Sequence, residues 1–160
     1  MGTRLIGHCP HIAPQAYLHV LYAPLSEEEL QEFRERIGRP VNHELDNFYR
    51  FVNGIMIYSG AIRVLGYVPL KRKSNTQIYN YPSNIIIPNV SARIKGLSDG
   101  AIIIGFYQAD GSYASIEENG CVVRFDAKGD GSLIQKWPSF ENWLSSEVIR
   151  LDSEQKMKVH

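Results

Sequence analysis

The stretch Asn42-His43-Glu44-Leu45-Asp46-Asn47-Phe48-Tyr49-Arg50-Phe51-Val52-Asn53-Gly54 limits the possible folds more than any other part of the chain. Leu45, Phe48, Tyr49 and Val52 recur at i, i+3, i+4 and i+7, one apolar stripe at helical period. Phe51 widens that stripe, as expected of a helix pressed on a sheet. Asn42 is suited to accept a hydrogen bond from an orphan N–H of the first turn. Asn53-Gly54 tolerates the left-handed backbone that ends many helices. Ile55-Met56-Ile57-Tyr58 follows at once and is β-prone. The unit reads as helix, sharp turn and strand.

The elements around it can be placed from that unit. Ser26 with Glu29 three residues on is a capping box, and Glu27, Glu28 and Glu29 suit the positive end of a helix dipole. Leu30, Phe33 and Ile37 give that helix its buried side, and Gly38 and Pro40 end it. Downstream, 55–58 and 62–67 read as strands of a hairpin, and 85–88 as a strand ended by Pro88. A short helix is expected over 89–97. The segments 101–107, 113–117 and 121–126 form an antiparallel meander with turns at Asp110-Gly111 and Asn119-Gly120. Leu133–Trp137 is expected at a sheet edge. Ser139 caps a last helix from Phe140 to Leu151, with Phe140, Trp143, Leu144, Val148 and Leu151 on its apolar side. Residues 1–24 read as an irregular extension and 152–160 as a frayed tail. The expected class is α+β, an antiparallel or mixed sheet of about five to six strands backed by helices.

At 160 residues the chain is expected to be a single domain over 1–160, large enough to need no disulfide or metal for stability. Cys9 and Cys121 have no framework spacing, and no apolar run nears the ~20 residues of a membrane helix. The N-terminus lacks a signal-peptide pattern, so a cytoplasmic location is expected. The formal net charge is +0, which argues against broad phosphate binding. The charge is nonetheless uneven: from Phe51 to Ser98 there are Arg63, Lys71, Arg72, Lys73, Arg93 and Lys95 but no acid.

No catalytic motif is present: Gly-x-Ser-x-Gly, His-Glu-x-x-His and phosphate-loop patterns are all missing. His8-Cys9-Pro10-His11 has zinc-ligand chemistry but no second pair at finger spacing, so no metal and no cofactor is expected. Cys121 is read as a small core hydrophobe rather than a nucleophile. Asp126, Asp130, Gly131 and Ser132 lack the alternate acidic ligands of a calcium loop. The loop from Pro69 to Asn84, with Lys71-Arg72-Lys73, Tyr79 and Tyr81, suits either single-stranded nucleic acid or a protein surface. Protein is favoured, since no nucleic-acid motif accompanies it and Tyr and Arg dominate protein hot spots.

The helix ending in Asn53-Gly54, Leu65-Gly66, Ile103-Ile104-Gly105, Asp110-Gly111 leading into Tyr113–Ile116, Gly120–Phe125 and Ser139-Phe140-Glu141-Asn142-Trp143-Leu144 together resemble the SUKH superfamily, named for Syd and the fungal cell-wall-synthesis regulators. The resemblance spans roughly Ser26 to Leu151. Val41-Asn42 stands where members commonly carry Leu-Pro, and Asp110-Gly111-Ser112 where many carry Gly-Asp-Gly-Asp. The resemblance implies a helix-backed sheet and a non-enzymatic role, most often as a bacterial immunity protein that binds and blocks a toxin domain. A regulatory protein-interaction module is the alternative. The partner surface is expected to comprise Tyr58, Arg63, Tyr67, Lys71, Arg72, Lys73, Tyr79, Tyr81, Tyr113 and Arg124, with a protein partner, no direct nucleic acid and no membrane insertion.

Overall fold

The computed structural model describes residues 2–14, 16–72, 81–126 and 131–158. Its framework is one sheet of eight strands in chain order: β1 (Arg4–His8), β2 (Tyr17–Leu21), β3 (Ile55–Ile57), β4 (Ile62–Val64), β5 (Ile102–Tyr107), β6 (Tyr113–Ile116), β7 (Val122–Phe125) and β8 (Leu133–Trp137). Every adjacent pair is antiparallel. Three helices, α1 (Glu27–Ile37), α2 (His43–Phe51) and α3 (Phe140–Lys158), complete an α+β fold.

The helices form one continuous layer. Phe33 of α1 meets Tyr49 of α2 edge-on at 5.3 Å, and Phe48 of α2 meets Phe140 of α3 at 5.0 Å. Trp143 of α3 lies directly over Gly105 of β5, where a Cβ would stand 2.8 Å from the indole, so only glycine permits this approach. Pleat alternation puts Gly105, Tyr107, Ala114 and Arg124 on the helix side of the sheet, and Phe106, Tyr113 and Ser115 on the other. The capping box of α1 is fully formed, with Ser26 and Glu29 bonding reciprocally. Arg34 clasps both carboxylate oxygens of Asp46 at 2.8 and 2.9 Å, tying α1 to α2.

Two buried asparagines replace strand pairing where strands stop. Asn53 donates to the Tyr67 carbonyl and accepts from the Tyr67 N–H, at 2.6 and 2.7 Å. Asn89 donates to the Ile85 and Ile103 carbonyls at 2.9 and 2.8 Å and accepts from the Ile103 N–H at 2.7 Å. An amide side chain offers a donor and an acceptor, as a peptide unit does, so each satisfies backbone groups that would otherwise be buried unpaired. Asn89 holds the 85–97 segment beside β5 beyond the end of β4.

Several expectations are corrected. Arg4–His8 and Tyr17–Leu21 pair as β1 and β2 rather than forming an irregular extension; all five residues of β1 are exposed, so no core-facing alternation marks it. The sheet therefore has eight strands, not five or six. Segment 85–88 is not a strand and 89–97 is not a helix; a single π-helical turn, Ile87–Ser91, takes their place because Asn89 must reach Ile103. α3 continues through Lys158, with Arg150 bridging Glu147 and Glu154 and Lys156 bridging Asp152. Phe51 is 67% exposed and Val148 is also exposed, so neither packs on the sheet. α2 ends at Phe51 with Val52 extended, and the left-handed residue is Gly54 alone, φ 90°, not Asn53. No described helix is long and apolar enough to cross a membrane.

Candidate protein-binding site

The sheet side away from the helices carries a cross-strand row: Val20, Met56, Arg63, Phe106, Tyr113, Phe125 and Leu133, each the register partner of the next. Phe106 and Tyr113 approach at 5.3 Å, and Tyr113 stacks on Phe125 at 6.3 Å. Such ring pairs gain attraction beyond their buried area, so the row is a rigid apolar floor. Ile87, Pro88, Ala92 and Ile94 form one wall over it, closing a groove of about 440 Å³ with Arg63, Leu65, Ser83 and Asn84 at its rim. Beyond Ile94 a second hollow, of about 440 Å³, is lined by Lys95, Leu97, Ser98, Ser115, Glu117, Val123 and Asp126.

The wall is fixed from behind. Asn89 locks it to β5, and Arg93 donates to the carbonyls of Ala101 and Ser98 at 3.2 and 2.6 Å. The Ser98 hydroxyl donates to Glu117 at 3.0 Å. Arg39 donates to the Asn89 carbonyl at 3.0 Å, and burial lowers the pKa of that guanidinium. Arg63, by contrast, is exposed and forms no ion pair among the described residues. Among the described residues it is the one charged side chain lining the first groove. The arrangement offers an aromatic floor, a pre-set apolar wall and a guanidinium free to take a carboxylate.

Of the residues singled out from the sequence, Arg63 and Tyr113 meet here, two positions apart along the row. Others lie elsewhere. Tyr67 is fully buried, and its hydroxyl donates to Glu32 and accepts from Arg36, so it belongs to the core rather than to a surface. Burial, reinforced by Glu32, pushes its pKa up to about 12. Arg124 projects to the helix side, 3.7 Å above the Tyr107 ring, and donates to Ser112 and Asp110 at 2.8 and 2.7 Å. Although partial burial pushes Asp110 up, hydrogen bonds from Ser112 and the Arg124 charge hold its carboxyl below the usual range. Tyr58 donates to Asp152 of α3 at 3.1 Å, and its N–H donates to His19 Nδ1 at 3.2 Å. Tyr58 and Ser59 are the only non-glycine residues at positive φ among those described, at 47° and 56°. Arg72 makes a two-pronged contact with Glu29 at 2.7 Å, beside the start of α1, and Lys71 is exposed next to it. Tyr81 is half-buried. Lys73 and Tyr79 lie outside the described residues.

Phe106, Ile87 and Ile94 were not legible as site residues. Phe106 adjoins Tyr107, and only the register shift between Ile103 and Gly105 decides which of the two rings faces outward. His8, Cys9 and His11 do not gather: His8 bonds the Pro14 carbonyl at 3.0 Å and stacks on Tyr17, while the Cys9 thiol donates to the Gly7 carbonyl. No cluster of three metal-ligating side chains exists among the described residues.

The family model described as the SMI1 / KNR4 family (SUKH-1) matches residues 24–146. The chain belongs to this family. Membership makes it a SUKH-type protein-interaction domain. No curated protein matches the chain. The span matched by the SUKH model runs from just before α1 into the first half of α3. It contains the whole groove, and it leaves out the β1–β2 hairpin and the last turns of α3.

Proposed function

We propose that this SUKH domain is a non-enzymatic immunity protein that acts in the cytoplasm by binding a cognate toxin domain and occluding its active site. The observation that carries the reading is the groove on the helix-free side of the sheet, where Arg63, without an ion pair among the described residues, stands beside the Phe106–Tyr113–Phe125 row. Aromatic side chains bury large rigid area at low entropic cost, and a guanidinium binds a carboxylate through paired, charge-assisted hydrogen bonds. Arg63 needs no broken ion pair to do so. The pre-formed wall lowers the ordering cost of association. Blocking by contact requires no chemistry from this chain, in keeping with the absence of catalytic motifs from its sequence.

The test is co-expression with the products of adjacent open reading frames, followed by pull-down and titration. A toxin domain that co-purifies with the wild type and is lost with Arg63→Glu or Tyr113→Ala supports the reading. Binding that survives both substitutions removes the groove from the interface. The match to the SMI1 / KNR4 description favours a second reading, a regulatory module that binds a host protein through the same surface. Capture of a non-toxin regulator in the same assay, with the same dependence on Arg63, selects it.

A further inference from the structure

We propose a second docking surface, in the groove between α2 and α3, that accepts a basic amphipathic helix of a partner protein. It is separate from the sheet-face groove and does not depend on the toxin reading. Its floor and walls are Phe48, Phe51, Phe140 and Leu144, around a hollow of about 420 Å³. Phe48 and Phe51, three residues apart, share one side of α2. Phe48 packs on Phe140 at 5.0 Å and is thereby fixed, while Phe51 stands 67% exposed above the groove. One turn beyond Leu144, Val148 continues the apolar line along α3 and is 39% exposed. A large aromatic ring left in water at the mouth of an apolar groove marks an interaction site rather than random surface.

The chemistry of the occupant follows from the rim. Among the described residues, the charged lining side chains are Glu44 and Glu141, and His43 is the one other ionisable group there. Glu44 spends one oxygen accepting the Phe140 N–H at 2.9 Å, which caps α3. Glu141 forms no ion pair among the described residues and remains open to a cation. Charge complementarity therefore selects lysine or arginine on the partner. The walls are helices whose backbone groups are already paired within α2 and α3, so an extended strand finds no ladder to join. A helix satisfies its own backbone and presents side chains alone, the mode by which amphipathic helices enter grooves.

The test uses two peptides of roughly 18 residues, about five helical turns, with the same leucine stripe and with either lysine or glutamate on the other side. Fluorescence anisotropy at low salt is expected to show the lysine peptide binding and the glutamate peptide not. Phe51→Ser, at an exposed position that leaves the fold intact, is expected to weaken the lysine peptide roughly tenfold or more. Glu141→Lys is expected to weaken the lysine peptide and admit the glutamate peptide. Amide shift changes are expected to cluster on α2 and the first half of α3. Equal binding of both peptides, no binding of the lysine peptide, indifference to Phe51→Ser, or shift changes centred on β5 and β6 would each overturn the proposal. Because toxin binding is read at Arg63 and peptide binding at Phe51, either result can fail without the other.

Discussion

Two hollows of nearly equal size, about 440 and about 420 Å³, lie on opposite layers of this domain. Both have aromatic floors. Among the described residues, the sheet-side groove is charged by the guanidinium of Arg63 and the helix-side groove by the carboxylates of Glu44 and Glu141. The chain's formal net charge of +0 hides this division, because the acid-free stretch from Phe51 to Ser98 supplies Arg63 and the wall of one groove, while α2 and α3 supply the carboxylates of the other. The two are also built differently. The sheet-side wall hangs on the buried amide of Asn89, whereas the helix-side walls are regular helices locked by Phe48 and Phe140. One molecule thus presents two apolar surfaces of opposite sign, and selectivity between partners rests on the rims rather than on the floors.

The comparison requires that the grooves be mechanically separable, and substitutions test this in descending order of effect. Trp143→Ala strikes the element common to both, since the buried indole packs on Gly105 and donates to the Tyr107 hydroxyl at 2.9 Å. A loss of ~3–5 kcal/mol is expected by thermal or denaturant unfolding, with both grooves affected. Asn89→Leu strips the Ile103 N–H and the Ile85 and Ile103 carbonyls of their partners and is expected to cost about 1–3 kcal/mol for the groups left unpaired. Hydrogen exchange should quicken at Ile103 and along 85–97 while α2 and α3 keep their protection. Equal loosening of the helices would show that the grooves are coupled.

Asp46→Asn acts on the helix side alone and is expected to cost about 1–2 kcal/mol near neutrality. The hydrogen bonds from Arg34 hold the Asp46 carboxyl below the usual carboxylate range, so the native state favours its ionised form. That contribution is complete above the unfolded-state value of ~3.9 and disappears as pH falls through the lower folded value. Unfolding midpoints compared between about pH 2 and 6 should show a shallower acid limb in the variant. The smallest effect on stability, within about 0.5 kcal/mol, is expected for Arg63→Glu, an exposed change that touches only partner choice. A melting shift well beyond that would mean that Arg63 supports the sheet rather than waiting for a ligand.

What was legible in the sequence follows the range of the forces involved. The capping box at Ser26 and Glu29 and the edge strand Leu133–Trp137 are local signals, and both stand as read. The stripe on α2 was visible, but helical period cannot tell a sheet from open solvent, and Phe51 faces solvent. The π-helical turn at Ile87–Ser91 was not visible because its cause, the bond from Asn89 to Ile103, spans 14 positions. For the binding surface, Arg63 and Tyr113 were found as a cation and a ring on strands. Tyr67 resembles them in composition, yet Asn53, also 14 positions away, holds its backbone inside the core. Side chains that contact across the fold declare themselves only when register is known.

The sheet order, in which each strand pairs with the next to be made, also has a kinetic consequence. Outside the helix pair between β2 and β3 and the link from β4 to β5, every ladder joins strands that lie close together in the sequence. Low separation between partners shortens the entropic search before contacts form, so β5 to β8 are suited to zip rapidly as successive hairpins. The β1–β2 hairpin joins this sheet only when β3 is in place, because its link to the rest is the pairing of Val20 and Leu21 with that strand.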